Sequence, residues 1–196
     1  MTRHRLLSLL SLVLALVLPS VALAGTAEDF VKTRQSELTG LLKKPKSEAN
    51  TKAIHGVFEQ ILDYDELAKR SLGSAEWKRR SAEERAEFTS LLKSLIQSAY
   101  EKNLRKTLGY SVSFKGETKD DGVALVRTVA KNTKDAREEP ISIDYLVKGS
   151  KDQRIVDIVT EGSSLTRGYR SQFRRVLKKK GWSGLIDTMK KKRDEG

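Results

Sequence analysis

The chain has 196 residues, a third of them charged, and a formal net charge of +12. It holds no cysteine and two histidines, which excludes a disulfide framework and leaves too few soft ligands for a zinc or copper site. The excess of positive charge is typical of a surface that attracts anionic lipid headgroups or acidic protein faces, and equally of a well-solvated surface without a partner.

The first 24 residues have the layout of a secretory signal peptide. Arg3 and Arg5 precede an almost purely apolar run at residues 6–18, and Ala22 and Ala24 are the small residues of a cleavage site. The apolar run is shorter than the roughly 18 residues of a membrane span, and no cysteine is present to carry a lipid anchor. We therefore expect a periplasmic, soluble mature chain of 172 residues without a transmembrane segment and with a net charge of +10.

Residues 26–108 show the spacing of amphipathic helices. A first helix is expected to end before Pro45, and a second follows through Ile54. Asp63, with a glutamate three residues on, predicts the start of a short helix that closes at Gly73.

The next helix is predicted to begin at Ser81, which forms a capping box with Glu84, and to run to residue 108 before Gly109 ends it. At roughly 42 Å it would be the longest element of the chain. Its apolar positions form a stripe wider than a coiled-coil seam, so this helix is expected to cover a broad apolar surface.

Residues 109–162 predict strands joined by short links that are rich in Gly, Asp, Asn and Lys. The predicted strands are 110–118, 123–131, 141–148 and 154–160. Asp121 and Gly122 mark one hairpin turn, and Ile143 and Tyr145 share an apolar face with their alternate neighbours. Because residues 163–196 are again helical in pattern, we predict one α+β domain over residues 25–196, with a twisted antiparallel sheet of about four strands wrapped by helices.

Catalytic motifs are missing from the sequence. It contains no G-x-S-x-G elbow, no P-loop and no H-E-x-x-H. Asp144 and Asp157 are candidates for an acid/base pair, and His55 for a base. Carboxylates on the solvent side of a sheet give the same pattern, and His55 lies beside an apolar helix face. The sequence thus favours binding, without cofactor or metal, and an exported enzyme with a conical pocket remains the alternative.

Two regions carry a more specific pattern. The first reads LDYDELAKRSLG at 62–73, then Trp77 and ERAEF at 84–88; the second reads IVDI at 155–158, EGSSL at 161–165, YRSQF at 169–173, then Gly181 and GLI at 184–186. Together they resemble the MlaC family, the periplasmic phospholipid-binding proteins of the Mla lipid-asymmetry pathway, also described as toluene-tolerance proteins. The resemblance spans essentially the whole predicted mature chain.

The resemblance implies an apolar cavity between the sheet and the helices that takes acyl chains while the headgroup stays in water. It implies a soluble periplasmic shuttle that carries phospholipid between the inner and outer membranes. The implied partners are an inner-membrane ABC transporter with an MCE-domain protein and an outer-membrane lipoprotein–porin complex, and nucleic acid is not expected. Relatives of the family are linked to hopanoid-type lipids, so another apolar lipid is an alternative ligand.

The candidate cavity wall is drawn from three parts of the chain. The helical side contributes Leu91, Leu92, Leu95, Ile96 and Tyr100; the sheet contributes Phe114, Leu125, Ile143, Tyr145 and Val147; and the family-like motifs contribute Tyr64, Leu67, Leu72, Tyr169 and Phe173. Arg170 and Arg174 would flank the opening and bind a headgroup or a partner, or else belong to a solvated helix face. The same apolar residues also suit a filled core, in which case the protein would be a basic adaptor between envelope proteins.

Overall fold

The computed structural model describes residues 26–195, without the side chains of residues 101–104. The predicted signal peptide lies outside the described residues. The helices are α1 Ala27–Leu42, α2 Glu48–Ile61, α3 Tyr64–Leu72, α4 Ser74–Arg79, α5 Ala82–Leu104 and α6 Leu165–Asp194, with a 3₁₀ turn at Arg105–Gly109. The strands are β1 Tyr110–Asp120, β2 Val123–Asn132, β3 Ile141–Lys148, β4 Arg154–Thr160 and β5 Ser163–Ser164.

Local capping signals set the helix starts. The Asp63 carboxylate accepts a hydrogen bond from the backbone N–H of Glu66, which begins α3 as predicted. At the start of α5, the N–H of Glu84 donates to Ser81 Oγ at 3.2 Å and the N–H of Ser81 donates to the Glu84 carboxylate at 2.9 Å. This reciprocal pair is the predicted capping box.

The helical segments differ from prediction in two places. α4 was not expected, and α5 ends at Leu104 instead of continuing to residue 108. The chain tightens there into the 3₁₀ turn, where the Arg105 guanidinium donates to the carbonyl oxygens of Leu42 and Lys44 at the end of α1. With 23 residues α5 is still the longest unbroken helix of the described chain, because the 30 residues of α6 are interrupted at Gly181.

α6 is bent at Gly181, whose φ of 68° lies in the left-handed region. The bend brings the Lys180 side chain so close to Gly184 that a Cβ there would overlap it. Both glycines of the recognised motif thus have a structural role. Gly181 adopts the positive φ of the bend, and Gly184 leaves room for the Lys180 side chain.

The sheet is an antiparallel meander in the order β1-β2-β3-β4-β5. Asp121 and Gly122 both have positive φ, as the predicted hairpin turn between β1 and β2 requires. The fifth strand is an addition to the four predicted. It has only two residues, and Glu161 and Gly162, again at positive φ, turn the chain so that Ser163 pairs with Thr160.

The helices cover one face of the sheet, which confirms the predicted α+β arrangement. α1 lies over β1 and β2, whereas the main helix contacts of α5 are with α3 and α6. Leu62 pairs with Ile155 of β4, and the N–H of Asp63 donates to the Ile155 carbonyl at 3.0 Å. This link fixes the start of α3 against the sheet.

Candidate functional site

The face of the sheet that meets the helices is apolar. Tyr145 of β3 stands opposite Val126 of β2, and Val147 and Ile143 lie on the same side two residues away in either direction. Phe114 of β1 joins them across β2. We call this side of the sheet the inner face.

The inner face is only partly buried. Val126 and Val147 are 0% and 1% exposed, in contact with the helices. Phe114 and Tyr145 belong to the same face and pack against the same core, yet both remain partly accessible. Phe114 lies on the edge strand β1, whereas Tyr145 lies on β3 in the middle of the sheet. The inner face thus combines enclosed and partly accessible apolar side chains.

Three tyrosines, from β3, α5 and α6, lie close to one another between the sheet and the helices. Burial raises the pKa of Tyr145 to about 12, although its ring is still partly accessible. Burial also raises the pKa values of Tyr100 on α5 and Tyr169 on α6. The pKa of Tyr100 is raised further by the nearby phenols of Tyr145 and Tyr169. All three rings therefore have protein on most sides and keep some accessible surface.

About half of the predicted wall residues are buried in the hydrophobic core. The buried members are Tyr64, Leu67, Leu72, Leu91, Leu92, Ile96, Val147 and Phe173. Phe173 packs edge-on against Phe88 with ring centroids 5.3 Å apart, and Tyr169 stacks on Phe173 at 5.4 Å. The partly accessible members are Leu95, Tyr100, Phe114, Ile143, Tyr145 and Tyr169. These six are the structure's candidates for a ligand-contacting wall.

The prediction that Leu125 belongs to the cavity wall is wrong. It pairs with Leu146, whereas its neighbours Ala124 and Val126 pair with Val147 and Tyr145. Because successive side chains of a strand point to opposite faces, Leu125 lies on the outer face of the sheet, away from the helices.

The two predicted headgroup residues have different environments. Arg170 is partly buried, and its Nε donates to the carbonyl oxygen of Arg70 at 2.7 Å. It thereby satisfies a carbonyl in the last turn of α3 and ties α3 to α6. Arg174 is exposed on α6. A headgroup role is thus less suited to Arg170 than a structural one.

The candidate catalytic residues lie away from the inner face. Asp144 and Asp157 are on the outer face, since they pair with Val159 and Leu146. Both oxygens of Asp157 are occupied: one accepts from the N–H groups of Ile158 and Thr166, the other from the hydroxyls of Ser164 at 2.6 Å and Thr166 at 2.9 Å. Asp157 therefore acts as a buried anchor for the start of α6.

His55 lies on α2 and is partly buried. Among residues 26–195, no group of three or more His, Asp or Glu side chains is placed to hold a metal ion.

Two clefts on the helical side are more polar than the inner face. One of about 370 Å³ lies between α1 and α2, with Glu37, Lys44 and Gln60 on its rim. The other, of about 630 Å³, lies beside Tyr64. Its lining includes an ion pair between Lys93 and Glu59 at 2.5 Å. Charged linings of this kind suit polar groups and not acyl chains.

Sequence reasoning missed two residues of the interior. The ring of Phe58 on α2 lies 5.3 Å from that of Tyr100, and Ile158 of β4 stands opposite Tyr145 on the inner face. The sequence pattern of α2 gives no sign that Phe58 contacts Tyr100. The register shift between β3 and β4 hides the side on which Ile158 lies.

The comparisons with known proteins bear directly on this arrangement. The sequence model of the MlaC protein family matches residues 32–191, a span that includes both recognised motif regions. The chain belongs to the MlaC family. The comparison with curated proteins found no match.

A solved structure has the same fold as this MlaC-family chain. It is a phospholipid-binding protein from Ralstonia solanacearum in complex with a phospholipid, 21% identical in sequence, with a TM-score of 0.76. The similarity covers 87% of this chain and 98% of the other. Within residues 26–195, moreover, no helix has the combined length and apolar character needed to cross a bilayer.

Proposed function

We propose that this MlaC-family protein is a soluble periplasmic carrier that shuttles phospholipid between the inner and outer membranes. The acyl chains lie between the helices and the inner face, and the headgroup stays in water. Family membership and a phospholipid complex of a protein with the same fold support the ligand class. The predicted signal peptide supports the compartment.

The observation that carries the proposal is that tyrosines on the inner face and on the helices are largely buried but keep some accessible surface. Tyr100 and Tyr145 have raised pKa values because they are buried, yet both keep accessible surface. Phe114 on the same inner face is also partly accessible. Apolar surface left accessible inside a domain is costly, and an apolar ligand removes that cost.

The energetics of such a carrier favour exchange. Two acyl chains with ~30 methylenes represent ~24 kcal/mol of gross transfer from water, at about 0.8 kcal/mol per methylene. A bilayer offers nearly the same gain, so the net affinity relative to a membrane is modest. The protein therefore needs no ATP of its own, and direction comes from its partners. We take these to be an ABC transporter with an MCE-domain protein and an outer-membrane lipoprotein–porin complex.

An enzymatic function fits the same geometry less well than the carrier function does. Asp157 has its acceptor sites filled by Ser164, Thr166 and Ile158, and Asp144 lies on the outer face. A general acid or base must reach the proton it transfers, and neither aspartate is on the apolar inner face.

A transfer assay tests the carrier function. Delipidated protein is mixed with vesicles that contain a radiolabelled phospholipid, separated from them by size, and counted. We expect about one phospholipid per protein, and return of that lipid to acceptor vesicles. Protein that stays unloaded at any vesicle concentration would refute the proposal, and preferential loading from hopanoid-containing vesicles would replace the ligand class.

A further inference from the structure

The first half of α6 carries an unusual concentration of positive charge. Residues 165–180 include seven arginines and lysines and no aspartate or glutamate. Six of them are exposed, and five of these six follow one side of the helix: Arg167, Arg174, Arg175, Lys178 and Lys179. We call these five residues the basic face. It spans about 18 Å along the helix and points away from Phe173, which is buried in the core.

The basic face has no internal neutralisation. None of its five side chains makes an ion pair with any carboxylate of the described chain. Beyond the bend at Gly181 the pattern changes, since Lys190 pairs with Glu87 at 2.8 Å and Arg193 with Asp194. These five unpaired cations therefore share one exposed side of a single helical segment, where their potentials add.

The chemistry of the basic face distinguishes between possible partners. The residues between its cations are small or polar, namely Gly168, Ser171 and Gln172, and all three are exposed. A protein interface usually has an apolar or aromatic centre, which this surface lacks. An anionic bilayer needs only a set of cations that reach its surface together. Charge complementarity without an apolar anchor thus favours a membrane.

We propose that the basic face docks this protein on the anionic surface of a phospholipid bilayer. The docking is electrostatic and reversible, because the side of the helix that contacts the membrane has nothing to insert into it. The inference goes beyond the carrier function, since it concerns the outside of the protein and does not require lipid in the interior.

The test measures partition of the full mature protein onto vesicles by flotation. Vesicles of pure phosphatidylcholine are compared with vesicles in which about a third of the lipid is phosphatidylglycerol, at low and high salt. We expect binding only to the anionic vesicles, with loss at high salt. The triple variant Arg174→Gln, Arg175→Gln, Lys178→Gln is expected to lower the partition coefficient on the order of 100-fold, at about fivefold per cation removed.

A matched control removes the same charge elsewhere. Lys115, Lys119 and Lys131 are exposed on β1 and β2, and their triple replacement by Gln changes the net charge equally. This control is expected to keep binding within about threefold. Equal loss in both variants would overturn the proposal, because net charge alone would then explain the binding. Absence of vesicle binding by the unmodified protein would overturn it as well, even if that protein still loads phospholipid.

A further outcome concerns the variant itself. If the triple variant binds the anionic vesicles as fully as the unmodified protein does, the basic face is not the membrane-docking surface and the proposal is wrong. All three replaced residues are exposed, so the variant's thermal unfolding is expected to match that of the unmodified protein.

Discussion

Replacement of Tyr145 by aspartate places a charge on the proposed cavity wall. Burial raises the pKa of Tyr145 from its ordinary 10.0 to about 12, so the surroundings disfavour a charge there by about 3 kcal/mol. That cost is below the 5–15 kcal/mol of a typical domain's stability, and the partly accessible side chain lets water reach the carboxylate in the empty protein. We therefore expect Tyr145→Asp to fold.

Lipid binding by this variant is expected to fail. Acyl chains that fill the cavity would strip the remaining water from the carboxylate, and an unpaired buried charge costs at least as much again. A loss of about 3 kcal/mol corresponds to roughly 100-fold weaker phospholipid binding. The assay is uptake of radiolabelled phospholipid by the delipidated variant, alongside circular dichroism to verify the fold.

Two controls make the result specific. Leu125→Asp changes a partly accessible residue on the outer face of the same sheet and is expected to retain phospholipid. Tyr145→Phe keeps the apolar ring and is expected to bind as the unmodified protein does. A folded Tyr145→Asp protein that binds lipid normally, or equal losses in Tyr145→Asp and Leu125→Asp, would refute the assignment of the inner face as the wall.

Three further expectations concern the core and the backbone. Leu92→Asp buries a charge at a fully enclosed position and is expected to abolish cooperative thermal unfolding. Leu95→Asp changes a partly accessible residue and is expected to leave a folded protein that binds less lipid. A folded Leu92→Asp protein together with an unfolded Leu95→Asp protein would contradict the packing described. Gly181→Ala is expected to lower the free energy of unfolding, measured with denaturant, by about 1–2 kcal/mol, because Gly181 has a positive φ. Gly168→Ala lies at an exposed helical position with open space and is expected to raise the free energy of unfolding by up to about 1 kcal/mol. Asp157→Ala is expected to cost about 3 kcal/mol of stability, because it leaves the buried hydroxyls of Ser164 and Thr166 unpaired. Phospholipid binding by the protein that remains folded is expected to be unchanged. Loss of binding without loss of stability would show that Asp157 has a functional role.

Local signals account for what could be predicted of the fold. The Asp63 cap, the Ser81–Glu84 box and the Asp121–Gly122 turn each depend on a few adjacent residues, and all three are present. The β5 strand depends on a partner strand and has only two residues, so no alternation could reveal it. The early end of α5 depends on a contact of Arg105 with the distant end of α1.

The candidate site was less predictable, for a physical reason. β2 is apolar on both sides of Leu125, so its sequence alone does not decide which residues face the helices. Register with Tyr145 and Val147 decides it, and places Val126 and Ala124 inside. Core and cavity wall also use the same residue types, so Phe173 and Tyr169 could not be told apart until their different accessibility was known.

Native mass spectrometry of the gently purified mature protein tests the central claim most directly. The account predicts a mass above that of the polypeptide by one phospholipid, with the same lipid recovered in an organic extract and with that added mass missing from Tyr145→Asp. A polypeptide mass without any bound lipid, unchanged after incubation with phospholipid vesicles, would contradict it.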